Sequence, residues 1–223
     1  MVGPHPRAPV DAIVMGGTRG IGRAIAGALE SSGHTVRAAG RGDVDTSDPG
    51  SVARFAAANH TTDILVLNTG GPPPKTYAEV TDAEWSKYHN QLFLGMVTLL
   101  RDIRVRDGGY IFLISSAVVK EPHPRLAISS AYRAAFTEIF KLASRELAAR
   151  NVSCVNIAPG MIATDRTREL LGDMQVDPST FPMGRMGEPR EIGEFVAAIV
   201  DKEIKYLSGI TVTFDGAGSA HVF

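Results

Sequence analysis

Short runs of consecutive apolar residues alternate with longer stretches whose apolar positions recur every three or four residues. The first run, Ala12-Ile13-Val14-Met15, is closed by glycine and predicts a buried parallel strand. Behind it Ile21, Ile25, Ala28 and Leu29 share a helical face, up to the stop at Ser31-Ser32-Gly33. Further strand-like segments lie at Thr35 to Arg41, Asp63 to Asn68, Gly109 to Ser115, around Cys154, and at Ile210 to Phe214. Helix-like segments fall between them: Ser51 to Ala58, Ala83 to about Arg104, Ser129 to Arg150, and Glu188 to Val200. Thr81-Asp82-Ala83-Glu84 reads as a capping box that opens the first of the two long helices.

This alternation predicts a single α/β domain, a doubly wound parallel sheet of about seven strands with helices on both faces. Ligands of such sheets lie at the carboxyl ends of the strands. The residues to weigh are therefore the turn after Met15, Arg41, Asn68-Thr69-Gly70-Gly71, Ser115-Ser116 and Pro159-Gly160. Gly71-Pro72-Pro73-Pro74 predicts a stiff, extended lid edge.

Composition narrows the classes. At 223 residues, 44% of them hydrophobic, the chain suits one domain with a sizeable core and is too short for two full ones. A net charge of −1 gives no electrostatic case for nucleic acid or an anionic membrane. No apolar run is long enough to span a bilayer. Residues 1–9 hold three prolines and no signal-like apolar stretch, which predicts a disordered leader before a domain over 10–223. The single cysteine, Cys154, excludes an internal disulfide and reads as a core thiol. These features fit a soluble cytoplasmic protein whose ligand is a small molecule.

The turn Gly16-Gly17-Thr18-Arg19-Gly20-Ile21-Gly22 carries the first candidate chemistry. Between a strand and a helix it presents free backbone N–H groups and the positive end of a helix dipole, a ready phosphate cradle. Its glycines allow close approach of an anion. Thr18 and Arg19 add side-chain donors. The same spacing also suits a tight turn without a ligand.

In order and spacing the chain resembles a short-chain dehydrogenase/reductase from Val10 to Gly216. The matching pieces are Gly16-x-x-x-Gly20-Ile21-Gly22, Asn68-Thr69-Gly70, Ile114-Ser115-Ser116, Asn156 to Thr164, and Ser208-Gly209 to Asp215-Gly216. The Asn-Thr-Gly-Gly-Pro strand end resembles a branch labelled 3-oxoacyl-acyl-carrier-protein reductases. The resemblance implies a Rossmann-type sheet and hydride transfer between a nicotinamide and a carbonyl or alcohol carbon. In the family a tyrosine handles the proton, and a lysine four residues later lowers its pKa and holds the ribose. A serine thirteen residues before the tyrosine polarises the substrate oxygen, and an asparagine on the preceding helix orders water.

Ser116 matches the family serine. The tyrosine position falls on Ser129, the lysine position on Arg133, and the asparagine position, counted from Trp85, on Leu92. A serine hydroxyl is a poor general acid beside a phenol of pKa ~10. Arginine stays protonated, so it can hold ribose hydroxyls but cannot relay a proton. Substitutes for the missing acid are Tyr132, which also reads as a packing residue, His123 in the Pro122-His123-Pro124 loop, which also reads as solvent-exposed, and more weakly Tyr77. Lys141, two helical turns beyond Arg133, reads as a solvated-face or packing residue.

The second strand ends Ala39-Gly40-Arg41, with no carboxylate before Asp43. Arginine there suits the 2′-phosphate of NADP(H), in preference to NAD(H), with Arg19 as the other jaw. The helix that follows this strand in the family is nearly absent, which leaves the adenine side of the cleft open. By the resemblance Asp45 caps the adenine amino group and Thr164 holds the nicotinamide carboxamide, within a segment Pro159-Gly160-Met161-Ile162-Ala163-Thr164. Residues 164–187 are expected to form a partly apolar substrate lid with Leu170, Leu171, Met174 and Phe181. The two long helices carry apolar residues around much of their circumference, among them Leu92, Phe93, Leu94, Met96 and Val97, which predicts a homo-oligomer. By the resemblance it is a dimer or tetramer. Three readings remain: an NADP(H)-dependent reductase, a non-redox lyase, isomerase or cyclase on the same scaffold, and an inactive nucleotide-binding protein.

Overall fold

The computed structural model describes residues 8–172 and 177–222. The expected leader lies almost wholly outside these residues, as does Met174 of the expected lid. The chain runs β1 (Asp11–Met15), α1 (Gly20–Ser31), β2 (Thr35–Ala39), α2 (Pro49–Ala58), β3 (Thr61–Leu67), α3 (Asp82–His89), a π turn (Asn90–Leu94) and α4 (Gly95–Asp102). It continues with β4 (Arg104–Ile114), α5 (Ala127–Leu147), β5 (Ser153–Pro159), α6 (Asp165–Leu171), α7 (Pro189–Asp201) and β6 (Ile210–Phe214). The strands pair in parallel in the order β2-β1-β3-β4-β5-β6.

The period of two along each strand separates two cores. Ile13, Met15, Leu65, Leu67, Ile111, Leu113 and Cys154 face α2, α4 and α5. Ala12, Val14, Ile64, Val66, Phe112, Val155 and Ile157 face α1 and α7. Each large side chain so buried contributes about 1.5–3 kcal/mol relative to exposure. On the second face α1 and α7 approach closely at Gly193, where a Cβ would lie 2.5 Å from the carbonyl oxygen of Ala24. Cys154 is fully buried, and desolvation pushes its thiol up to about 12. It is a packing residue.

The sheet has six strands among the described residues, close to the seven or so expected, with β2 at its edge and only a turn between β2 and Val44. Gly40 N donates to the Asp43 carboxylate and Val44 N to the Gly40 carbonyl, so the chain folds back at once. A parallel crossover to a further strand needs a dozen or more residues. The first long helix does not reach Arg104; it ends at Asp102, and β4 begins at Arg104 rather than Gly109. That helix is also interrupted by the π turn, where Gly95 N bonds to the carbonyl of Asn90. Periodicity alone did not show the extra residue, since a π turn keeps the helical path. The capping box is present: Glu84 N donates to Thr81 Oγ1, and the Glu84 carboxylate accepts from Thr81 N at 3.0 Å.

Candidate functional site

The carboxyl ends of β1, β3, β4 and β5 open onto one cleft of about 410 Å³. Its walls bring together Gly16, Thr18, Arg19, Gly20, Ile21, Arg41, Asp45, Asn68, Thr69, Gly70, Pro159, Gly160, Ile162 and Thr164, with Ser116, Ser129 and Arg133. Gly22 is the one expected cofactor residue that is not on this wall. It serves the turn from behind: a Cβ there would sit 2.1 Å from the carbonyl oxygen of Gly16.

The glycine turn is held by backbone packing. Gly16 has φ +60°, and its ideal Cβ would lie 2.6 Å from Asn68 Nδ2. Asn68 in turn points its amide at the Gly16 carbonyl, joining the ends of β1 and β3. Gly20 (φ +54°) is open on the cleft side, where an added Cβ would meet only the Thr164 side chain at 3.5 Å. The first turn of α1 has no side-chain cap and no acidic residue. A helix start with no side-chain cap and no acidic residue, beside an open glycine, fits a phosphate group.

At the adenine side, Arg41 is 77% exposed and leans on Asp45 at 3.6 Å. Ser47 donates through its hydroxyl and backbone N–H to Asp45, which holds that carboxyl below its usual range. Asp43 is occupied by the Gly40 amide, which leaves Asp45 as the carboxylate that pairs with Arg41.

The opposite end is built on α5 and β4. Ser116 follows β4 and its hydroxyl accepts from Val118 N at 3.4 Å. Ser129 lies one turn before Arg133 on α5 and accepts from Arg133 Nε at 3.2 Å. Each hydroxyl is therefore engaged as an acceptor, which leaves its proton for a donor role. Arg133 is half-buried in the floor of the cleft and donates further to the carbonyls of Ile114 (3.2 Å), Ser115 (3.4 Å) and Thr69 (3.2 Å). Burial, then the nearby Arg166, pulls its guanidinium down to about 10, so it remains protonated at neutral pH. Leu92 stands behind it in a small apolar recess with Met96 and Phe136. Thr69 and Ser115 also border the recess, but no asparagine stands at position 92.

Neither substitute acid reaches the cleft wall. Tyr132 turns toward α3, where its hydroxyl donates to the Trp85 carbonyl at 3.2 Å and its ring meets Trp85 edge-on. His123 lies exposed, with Nδ1 accepting from Arg125 N within its own loop. Tyr77 is exposed. Lys141 bonds to the Gly209 carbonyl at 2.6 Å, a packing role at the entrance to β6.

Several wall residues escaped sequence reasoning, among them Lys87, Tyr88, Gln91 and Arg166. Gln91, in the π turn, donates to the Gly70 carbonyl at 2.8 Å. Its only signal was a polar residue in an apolar run. Arg166, in α6, reaches across to the Pro72 carbonyl. It follows Thr164-Asp165 directly, and its place two residues after Thr164 was the available clue.

The fold and its glycine-rich first turn define a Rossmann-type α/β protein. A family model described as enoyl-(acyl carrier protein) reductase matches residues 42–218, and the chain belongs to the short-chain dehydrogenase/reductase family. Within it the chain is similar to 3-oxoacyl-[acyl-carrier-protein] reductase FabG of Vibrio harveyi, 30% identical over 92% of this chain and 95% of that protein. The acetoacetyl-CoA reductase of Shinella zoogloeoides is 28% identical over 92% of this chain and 96% of its own. Among solved structures, a blue fluorescent protein from a metagenomic library in complex with NADPH shares the fold. Its TM-score is 0.80 with 22% identity, over 94% of this chain and 98% of that one. No helix among the described residues is long and apolar enough to cross a membrane.

Proposed function

We propose that this protein is an NADP(H)-dependent reductase that transfers a hydride to a small carbonyl or another polarised double bond. The single observation that carries the reading is the shared cleft: the uncapped α1 start, open Gly20, Asn68 and Thr164 line it together with Ser116, Ser129 and Arg133. When bound, the dinucleotide supplies the hydride. Gly20, Ile21 and Thr18 would hold its phosphates, Arg41 and Arg19 the 2′-phosphate, Asp45 the adenine amino group, and Thr164 with Ile162 the carboxamide.

Ser116 and Ser129 donate to the substrate oxygen, and the Arg133 guanidinium beside Ser129 stabilises the negative charge that develops there. The family tyrosine and lysine positions carry Ser129 and Arg133, and Tyr88, the one phenol on the cleft wall among the described residues, is packed in a cluster with Leu92 and Ile128, so the proton comes from solvent through the open side of the cleft. That favours substrates whose reacting carbon is already strongly electrophilic, or a polarised C=C or C=N, over plain ketones. Residues 164–187 serve as the substrate lid, and exposed apolar residues on the two long helices, Leu94 and Leu142, fit a homo-oligomeric contact. The reading also places the protein in the cytoplasm. The engagement of Arg133 by four neutral oxygens also supports a second reading, a nucleotide-binding protein without turnover.

The test is a calorimetric titration with NADPH, NADP⁺, NADH and NAD⁺ on the wild type and Arg41→Ala. Micromolar NADPH binding, weakened about tenfold in Arg41→Ala with NADH unchanged, is expected for loss of one exposed phosphate contact. Absence of binding by every dinucleotide would end the reductase reading. Tight binding without oxidation of NADPH by any electrophilic carbonyl would leave the second.

A further inference from the structure

Two guanidiniums converge at one edge of the cleft with little negative charge to meet them. Arg133 is half-buried, yet all four of its hydrogen bonds go to neutral oxygens, and no described carboxylate lies within ion-pair reach. Arg166 comes from α6 on the other side, bonding the Pro72 carbonyl and touching only the half-exposed Glu169 at 3.5 Å. They meet over Gly71: the point where a Cβ would stand is 3.9 Å from Arg166 Nη2 and 4.0 Å from Arg133 Nη2. Gly71 has no side chain to fill that point. Like charges brought together in a partly buried cleft are costly unless an anion joins them, and the planar fork of each guanidinium suits an oxyanion.

We propose that the substrate carries a carboxylate, which binds between Arg133 and Arg166 at the Gly71 edge of the cleft. In naming a substrate the inference rests on the reductase reading. The dinucleotide's own phosphates are the other source of such an anion, and the geometry separates the two. At the start of α6 Thr164 faces Gly20 and the glycine turn, whereas Arg166 reaches the opposite way, to Pro72 beyond the end of β3. The phosphate cradle and the arginine pair thus lie on different flanks of α6. A carboxylate beside the reacting carbon, as in a 2-oxo acid, also places Arg133 near the carbonyl oxygen. Arg166 is then a specificity-determining residue.

The probes are malonate and oxamate, with malonamide as the neutral control, titrated into wild type, Arg166→Gln and Arg166→Lys, each with and without saturating NADPH. NADPH is titrated in parallel. The expected result is carboxylate binding to the wild type, none of malonamide, and a loss of at least about tenfold in Arg166→Gln. Arg166→Lys should fall between, having charge without the fork, and NADPH affinity should stay within about twofold throughout. In turnover, a 2-oxo acid should exceed its methyl ester in kcat/KM, and Arg166→Gln should erase that preference. Carboxylate binding that is absent, or indifferent to Arg166, overturns the proposal. So does a fall in NADPH affinity in Arg166→Gln without change in carboxylate binding, since the anion is then a cofactor phosphate. Failure of NADPH to bind at all refutes the reductase reading instead, and the carboxylate titrations without NADPH still judge the anion site.

Discussion

The two ends of the cleft are built by different means. At the glycine turn the residue types are dictated by backbone meeting backbone: Gly22 against the Gly16 carbonyl, Gly17 against the Val14 carbonyl, Gly16 against Asn68. At the other end the positions are set by α5 and β4, and the side chains on them can change without moving either element. Arg133 shows how. Its fork takes up the carbonyls of Ile114, Ser115 and Thr69 and stays anchored to the strand ends. The glycines are thus evidence for the turn first and for a ligand second. Ser129, Arg133 and Leu92 answer to chemistry, and they carry the information about what this protein does.

The sharpest contrast is to load each end with new atoms. Gly22→Ala places a methyl at 2.1 Å from a carbonyl oxygen, with only backbone to yield. It should cost about 3 kcal/mol or more, read as a lowered denaturant midpoint. Gly20→Ala, in open space but at positive φ, should cost only about 1 kcal/mol while blocking the phosphate cradle. If both variants were equally stable, backbone packing would not be what fixes this turn.

At the far end, Ser129→Tyr with Arg133→Lys should keep the fold and raise reduction of plain ketones by about 100-fold, the lower range for a positioned general acid. Steady-state rates at neutral pH check it. No gain, with NADPH affinity intact, would mean that the acid is not what the natural site lacks. Leu92→Asn, added to that pair, should increase the rate further by a smaller factor, because it gives the recess behind residue 133 an amide that can hold water.

The smallest effect is expected from Tyr132→Phe. It removes the hydrogen bond to the Trp85 carbonyl and should lower stability by about 1 kcal/mol, with kcat and KM unchanged. A fall in kcat at constant stability would return Tyr132 to the reaction.

The fold was legible because buried parallel strands leave an unmistakable apolar pattern. The segments around Ala12 to Met15, Asp63 to Asn68 and Ile210 to Phe214 stand where the pattern put them. The ends of elements were less legible. Residues 104–108 hold one apolar residue, the buried Val105, among charged residues and glycine, too little to announce the first half of β4. Most of the glycine-turn wall was readable for the same reason that the glycines are needed, since a tight strand–helix turn is a local matter. Gln91 and Arg166 were not, because each acts through a bond to a residue far away in the chain, at Gly70 and Pro72.

By itself, then, the sequence determined the order of strands and helices, the glycine turn, and the absence of a phenol and a lysine from their family positions. These depend on periodicity and on counting along one chain. Only the tertiary structure decided that Tyr132 packs on Trp85 outside the cleft, that Arg133 spends its hydrogen bonds on strand-end carbonyls, and that Arg166 crosses α6 to stand near it over Gly71. A side chain's direction, and the charge it faces, follow from which distant segments the fold brings within a few ångströms, and no local pattern encodes that.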